Sequence, residues 1–211
     1  MIIKGYILTY LLILVILIIA KLLYIRSNGT LTRKFIHISV SFCYVIFYKY
    51  FGTSIHILLA SFSFIVLNVL SYKYDIVKEM EEKKSLGTIY YAISIFLMSL
   101  ITYFKHDFYI AFGIGLFILG FGDGFAALFG QMIKSPKIYK DKTLIGTLTV
   151  FIMSILVMLV FNYIFGINFS IIKIIIVGIV ASLLELFGTK GIDDLYLPLG
   201  VSGLVYLLGV I

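Results

Sequence analysis

Two carboxylates in this chain are not explained by packing. Asp123 lies in Gly120-Phe-Gly-Asp-Gly-Phe-Ala-Ala-Leu-Phe-Gly130, and Glu185 ends a run that is otherwise apolar or small from Ile174 onward. A carboxylate at membrane depth costs roughly 2.5 to 3.5 kcal/mol on insertion scales, so an acid in such a span is a functional-site hypothesis by default. It must be compensated by a metal or a cation, or else be protonated. Asp123 can bind Mg²⁺ on a nucleotide, because Mg²⁺ takes one or two carboxylates and completes its shell with substrate phosphate oxygens. Cations for such a phosphate are at hand. In Lys140-Asp-Lys-Thr-Leu-Ile-Gly-Thr147, Lys142 precedes a helix start that supplies the hydroxyls of Thr143 and Thr147 and free backbone N–H groups. In Arg33-Lys34-Phe-Ile-His37 the helical spacing puts two cations and an imidazole on one face.

Each feature also has a plainer reading. The cations fit a topogenic anchor. Gly120, Gly122, Gly124 and Gly130 fit small-residue helix packing, and Asp193 and Asp194 fit the cap of a last helix. Packing accounts for the glycines but leaves the aspartate unexplained. No G-x-x-x-x-G-K-[ST] loop and no G-x-G-x-x-G follows a strand, which excludes soluble P-loop and protein-kinase folds.

The elements that must position these groups are membrane helices. With 62% hydrophobic and 13% charged residues and a mean hydropathy of +1.15, the 211-residue chain is too apolar for a soluble domain. No linker or repeat divides it, so residues 1–211 are expected to form one domain. About 20 apolar residues cross a bilayer, and spans are expected near 5–25, 36–51, 54–71, 87–104, 108–130, 144–166 and 170–189. A shorter eighth segment covers 196–211. The fold class is therefore an all-α, polytopic bundle of seven to eight spans, since the runs lack the alternation of barrel strands.

Thirteen of the 17 Lys and Arg residues fall on one side of that arrangement. The positive-inside rule makes that side cytoplasmic and the N-terminus external. The same loops explain the net charge of +7 without a nucleic-acid partner. Residues 71–85, with mixed Lys and Glu, are expected to form a solvated surface helix. Cys43 stands alone in an apolar run, so no disulfide framework and no cysteine metal site is expected. Asp123, Glu185, His37 and Asn68 all fall in the cytoplasmic leaflet, which points to a site open to the cytoplasm and suited to an anion.

Taken in order, Arg33-Lys34-x-x-His37, Gly122-Asp123-x-x-Ala126-x-x-x-Gly130, Lys142-Thr-x-x-Gly146-Thr147 and Glu185 with Asp193-Asp194-x-x-x-Pro198 resemble the polyprenol kinase family. That family includes dolichol kinase, phytol kinase and the CTP-dependent diacylglycerol kinase, and is distantly similar to phosphatidate cytidylyltransferases. The resemblance spans residues 33–198. Thr143 stands where the family commonly has Ser, and Asp194 where Asn is common.

The resemblance implies transfer of the CTP γ-phosphate to an isoprenoid alcohol such as phytol, geranylgeraniol or a polyprenol, in a multi-pass protein of the cell membrane, alone or as a homo-oligomer. Asp123 would hold Mg²⁺. Arg33, Lys34, Gly122, Lys142, Thr143, Gly146 and Thr147 would bind the nucleotide, and Asn68 and Asp194 would meet the substrate. His37 or Glu185 would take the hydroxyl proton. The alternatives are a transferase that makes a CDP-lipid, using the same cations and metal, and a small transporter using Asp123 and Glu185 as ion ligands.

Overall fold

The computed structural model describes residues 1–26, 29–74, 86–188 and 191–209. The expected surface helix falls mostly on residues 75–85, outside the described residues. The chain runs through α1 (Ile2–Arg26), α2 (Gly29–Ser41), α3 (Cys43–Ile46) with a π-helical turn over Phe47–Phe51, α4 (Ile55–Tyr74) and α5 (Gly87–Phe104). It continues through α6 (Phe108–Phe117), a second π-helical turn (Ile118–Asp123) and α7 (Gly124–Met132). A short hairpin of β1 (Lys137–Tyr139) and β2 (Lys142–Thr143) leads to α8 (Leu144–Phe165), α9 (Ile171–Phe187) and α10 (Asp193–Leu207).

Among the described residues the protein is all-α apart from that hairpin. Among the described residues, five stretches are long and apolar enough to cross a bilayer: Ile2–Ile25, Ile55–Tyr74, Gly87–Phe104, Phe108–Met132 and Leu144–Phe165. The remaining expected spans are shorter or broken. The one placed at 36–51 begins earlier, at Gly29, and is interrupted at Phe42. α9 has 17 residues, and α10 has 15 with Pro198 inside it.

The core is built from rings and branched side chains at helix crossings, including Phe47, Phe112, Ile57, Ile95, Met98 and Leu197. α8 packs along α9, α4 along α5, and α10 against α5, α6 and α9. Hydroxyls buried between helices bond back to their own helix. Ser94 donates to the Tyr91 carbonyl, Thr102 to Met98 and Ser154 to Val150. Inside an apolar bundle that local bond is how a serine or threonine avoids an unsatisfied polar group.

The segment carrying Asp123 packs unusually close to α2. A Cβ on Gly124 would lie 2.5 Å from the Ile38 side chain, and one on Gly120 would lie 2.9 Å from the Ser41 hydroxyl. Neither position admits a larger residue without displacing α2. This approach brings Lys34 of α2 within reach of Asp123.

Candidate active site

The structure gathers the singled-out residues around a polar pocket of about 250 Å³. Arg33 and Lys34 enter it from α2, Asp123 from the π-helical turn, and Lys142 and Thr143 from the hairpin. Gly146 and Thr147 come from α8 and Glu185 from α9. Ala126, Ala127 and Gly130 of α7 form an unobstructed wall.

Both acids have a cation. Asp123 is paired with Lys34, and Glu185 with Lys142, whose ammonium also lies 3.4 Å from Asp193. The Lys34 and Asp123 side chains are only 9% and 5% exposed, so the compensation expected for a buried carboxylate is present within the protein. Burial alone would lower the Lys142 ammonium. Glu185, then Asp123 and Asp193, outweigh it and hold the group above the usual lysine range. Two polar atoms at the pocket, the Thr147 hydroxyl and Glu185 Oε2, are buried without a hydrogen-bond partner.

The start of α8 differs from expectation. Its first backbone N–H groups are not free for phosphate. The Leu144 amide donates to the Pro136 carbonyl, Ile145 to Ser135 Oγ and Gly146 to Thr143 Oγ1. The Lys134–Pro136 segment folds back over this end and, with the Thr143 cap, fills positions that helix geometry leaves open. A phosphate at this end would have to be met by side chains.

Four expected residues, Gly122, His37, Asn68 and Asp194, lie apart from the pocket wall. Gly122 packs on α8, where an added Cβ would touch Val150 at 3.4 Å. His37 and Asn68 line a separate narrow cavity with Thr88 and Tyr91 from the start of α5. His37 is 1% exposed, and its Nδ1 lies 3.5 Å from Asp194 Oδ1. Tyr91 packs on its ring at 4.8 Å and donates to its backbone carbonyl at 3.1 Å.

Asp193 and Asp194 occupy the first turn of α10 and are not its cap. Ile192 holds that position without a side-chain bond. Asp194 is instead buried beside His37, and Pro198 withholds the amide that would bond the Asp194 carbonyl. His37, Asp123 and Asp194 each place one donor atom within 4.8 Å of the others. The sequence reading missed this joining of α2, the Ile118–Asp123 turn and α10. It also missed the π-helical turn that ends on Asp123, a device often found at functional sites.

Two polar groups elsewhere, His56 and Asn162, are tied locally. His56 Nδ1 lies 3.2 Å from Tyr6 Oη, while Asn162 exchanges hydrogen bonds with the Phe169 backbone. Neither extends the pocket into a path through the bundle.

The fold and site together define an all-α, multi-pass membrane protein with a charged pocket in which Arg33, Lys34 and Lys142 face Asp123, Asp141 and Glu185. The chain is 38% identical over 141 residues to a phytol kinase of Synechocystis, an alignment covering 63% of this chain and 59% of that protein. It is homologous to that protein, which bears out the resemblance to the polyprenol kinase family. The matched part is less than two thirds of the relative's own length. No family model matches the chain, and no solved structure does.

Proposed function

We propose that this protein is a CTP-dependent kinase that phosphorylates an isoprenoid alcohol at the cytoplasmic face of the membrane. The observation carrying the proposal is the convergence of Arg33, Lys34 and Lys142, from two separate segments, on Asp123 and Glu185 beside a cavity that holds His37. Homology to a phytol kinase supports the acceptor class. The side holding thirteen of the 17 Lys and Arg residues supports the orientation.

Phosphoryl transfer depends on positioning and charge neutralisation more than on covalent chemistry. In this reading Arg33 and Lys142 hold the triphosphate, and Thr143 and Thr147 contribute hydroxyls. Lys34, now neutralising Asp123, turns part of its charge to the γ-phosphate. Two of the clustered donors, the Asp123 and Asp194 carboxylates, suit a hard divalent cation, so Asp123 would hold Mg²⁺. When bound, Mg²⁺ would neutralise charge developing on the phosphates.

His37 is the better-placed proton acceptor of the two candidates. Glu185 is committed to Lys142, whereas the Nδ1 side of His37 faces Asp194, which favours the tautomer with Nε2 free to accept. The alcohol oxygen bonds to the γ-phosphorus as the bond to the bridging oxygen breaks. CDP departs, and the hydroxyl proton passes to His37. The test incubates purified protein with γ-labelled nucleotides and a panel of lipid alcohols. A labelled lipid with CTP is expected. A cytidine-linked lipid with released pyrophosphate would replace the kinase reading with nucleotidyl transfer.

A further inference from the structure

The reading above leaves open how an apolar alcohol reaches a histidine buried in the bundle. Two cavities answer this together. The narrow cavity against His37, about 40 Å³, shares Ile36, Val40, Phe64 and Asn68 with a groove of about 240 Å³ between α1 and α4. The groove's other walls are the apolar side chains of Ile13, Ile16, Leu17, Leu67 and Leu70, with Ser71 the one further polar residue. Leu67 is 46% exposed on the outer face of the bundle, so the groove opens where lipid would lie.

The geometry of α1 and α4 explains the opening. Near one end they are pinned together, by Tyr6 with His56 and by Tyr10 Oη with Ser63 Oγ at 2.7 Å. Toward the other end α1 turns its buried Ile16 and Ala20 onto Ile36 of α2, while α4 packs on α5. There the two helices pack on different partners, and the space between them is the groove.

The inner end of the gap is polar. Asn68 donates to the Phe64 carbonyl at 2.8 Å, which holds its side chain in the floor where the two cavities meet. Beyond it His37, 1% exposed, faces Asp194 Oδ1 with Nδ1 at 3.5 Å and has no polar partner at Nε2. A buried imidazole in that state costs free energy unless a ligand supplies the missing bond. A primary alcohol on a hydrocarbon chain supplies it and leaves the groove apolar.

We propose that the α1/α4 groove is the acceptor subsite: the lipid alcohol enters sideways from the bilayer between these helices, with its hydroxyl between Asn68 and His37. This rests on the kinase reading. It brings the acceptor hydroxyl toward Asp123 from the His37 side, while the nucleotide pocket reaches the same carboxylate from the Lys34 side. The groove holds only the part of the chain next to the hydroxyl, and the remainder stays in hydrocarbon. A larger apolar groove, about 650 Å³ and lined by Phe42, Tyr48, Phe121 and Phe161, shares no residue with either the polar pocket or the His37 cavity. It is the natural competing location.

The test uses the full chain in nanodiscs and a prenyl alcohol carrying a diazirine near its hydroxyl, with labelled peptides mapped by mass spectrometry. Label is expected on Ile13–Leu17 and Leu67–Ser71, displaced by unlabelled isoprenoid alcohol and not by phosphatidylcholine. Label on Tyr48 or Phe161, or displacement by phosphatidylcholine to the same extent, overturns the subsite. In parallel, Leu67→Trp should lower kcat/KM for the alcohol at least tenfold with the KM for CTP unchanged. Leu59→Trp, on the same helix outside the groove, should leave both at parental values. Unchanged kinetics in Leu67→Trp also overturn the subsite. If the parent transfers no phosphate but the displaceable label falls on α1 and α4, the kinase reading fails and the subsite stands. Activity with label elsewhere gives the converse.

Discussion

Replacing Asp123 by Asn removes one negative charge and almost no volume. Considered alone, a carboxylate at membrane depth should be relieved by that change, and the variant should be at least as stable as the parent. The structure reverses this expectation, because Asp123 is the partner of Lys34 and both side chains are nearly inaccessible. A neutral amide in place of the carboxylate would leave the Lys34 ammonium buried without a counter-charge, and breaking a buried pair from one side costs about 3 to 5 kcal/mol. Each kcal/mol moves the melting temperature of a chain this size by about 2 to 4 °C. Asp123→Asn should therefore melt at least about 6 °C below the parent in detergent and lose lipid-kinase activity. Lys34→Met with Asp123→Asn removes both charges and should recover most of the stability without recovering activity. The parent, the two single variants and the double variant form a cycle whose interaction energy should exceed about 1 kcal/mol. An Asp123→Asn variant that melts with the parent would refute the ion-pair argument. One that keeps its activity would remove Asp123 from the chemistry.

Lys142→Met should reduce kcat/KM for CTP by about tenfold or more, the loss of one charge-assisted phosphate contact. Lys142→Arg, which preserves the charge opposite Glu185, should recover part of it; equal loss in both variants would show that charge is not what the site uses. His37→Gln should lower kcat at least tenfold while the KM for CTP stays within twofold, and a change confined to KM would move His37 out of proton transfer. A cysteine introduced in place of Lys137, whose side chain is 65% exposed on the hairpin, should react with an impermeant maleimide only after cells are opened. Labelling of intact cells would reverse the orientation of the site.

The sequence exposed the site mainly through cost. Asp123 and Glu185 stood out because an acid in an apolar helix needs a compensating charge, and both have a lysine. The pairing itself was less legible, since Arg33, Lys34 and His37 share helical spacing but part company in space. Lys34 turns to Asp123, while His37 turns to Asp194 and the cavity beyond. Which way each side chain leans depends on the close approach of α2 to Gly120 and Gly124, a tertiary fact that composition does not carry. Asp194 was hidden by its position, because an acid at the start of a helix reads as a cap. The hairpin before α8 was hidden by its length: three residues pairing with two leave no periodicity to detect.

The π-helical turn at Ile118–Asp123 has a consequence for how insertions and deletions act on this chain. Such a turn accommodates one residue more than an α-helical path of the same axial length. The helix before it and the helix after it are therefore out of angular phase with each other by about 100°. Deleting one residue between Ile118 and Gly122 would shorten a 25-residue apolar stretch by only one position, too little to end its capacity to span. It would, however, rotate the first half of the stretch against the second. Either Asp123 would leave Lys34, or α6 would leave α10. A single-codon deletion at this point is thus a change of phase rather than of length, and hydropathy profiles would not register it.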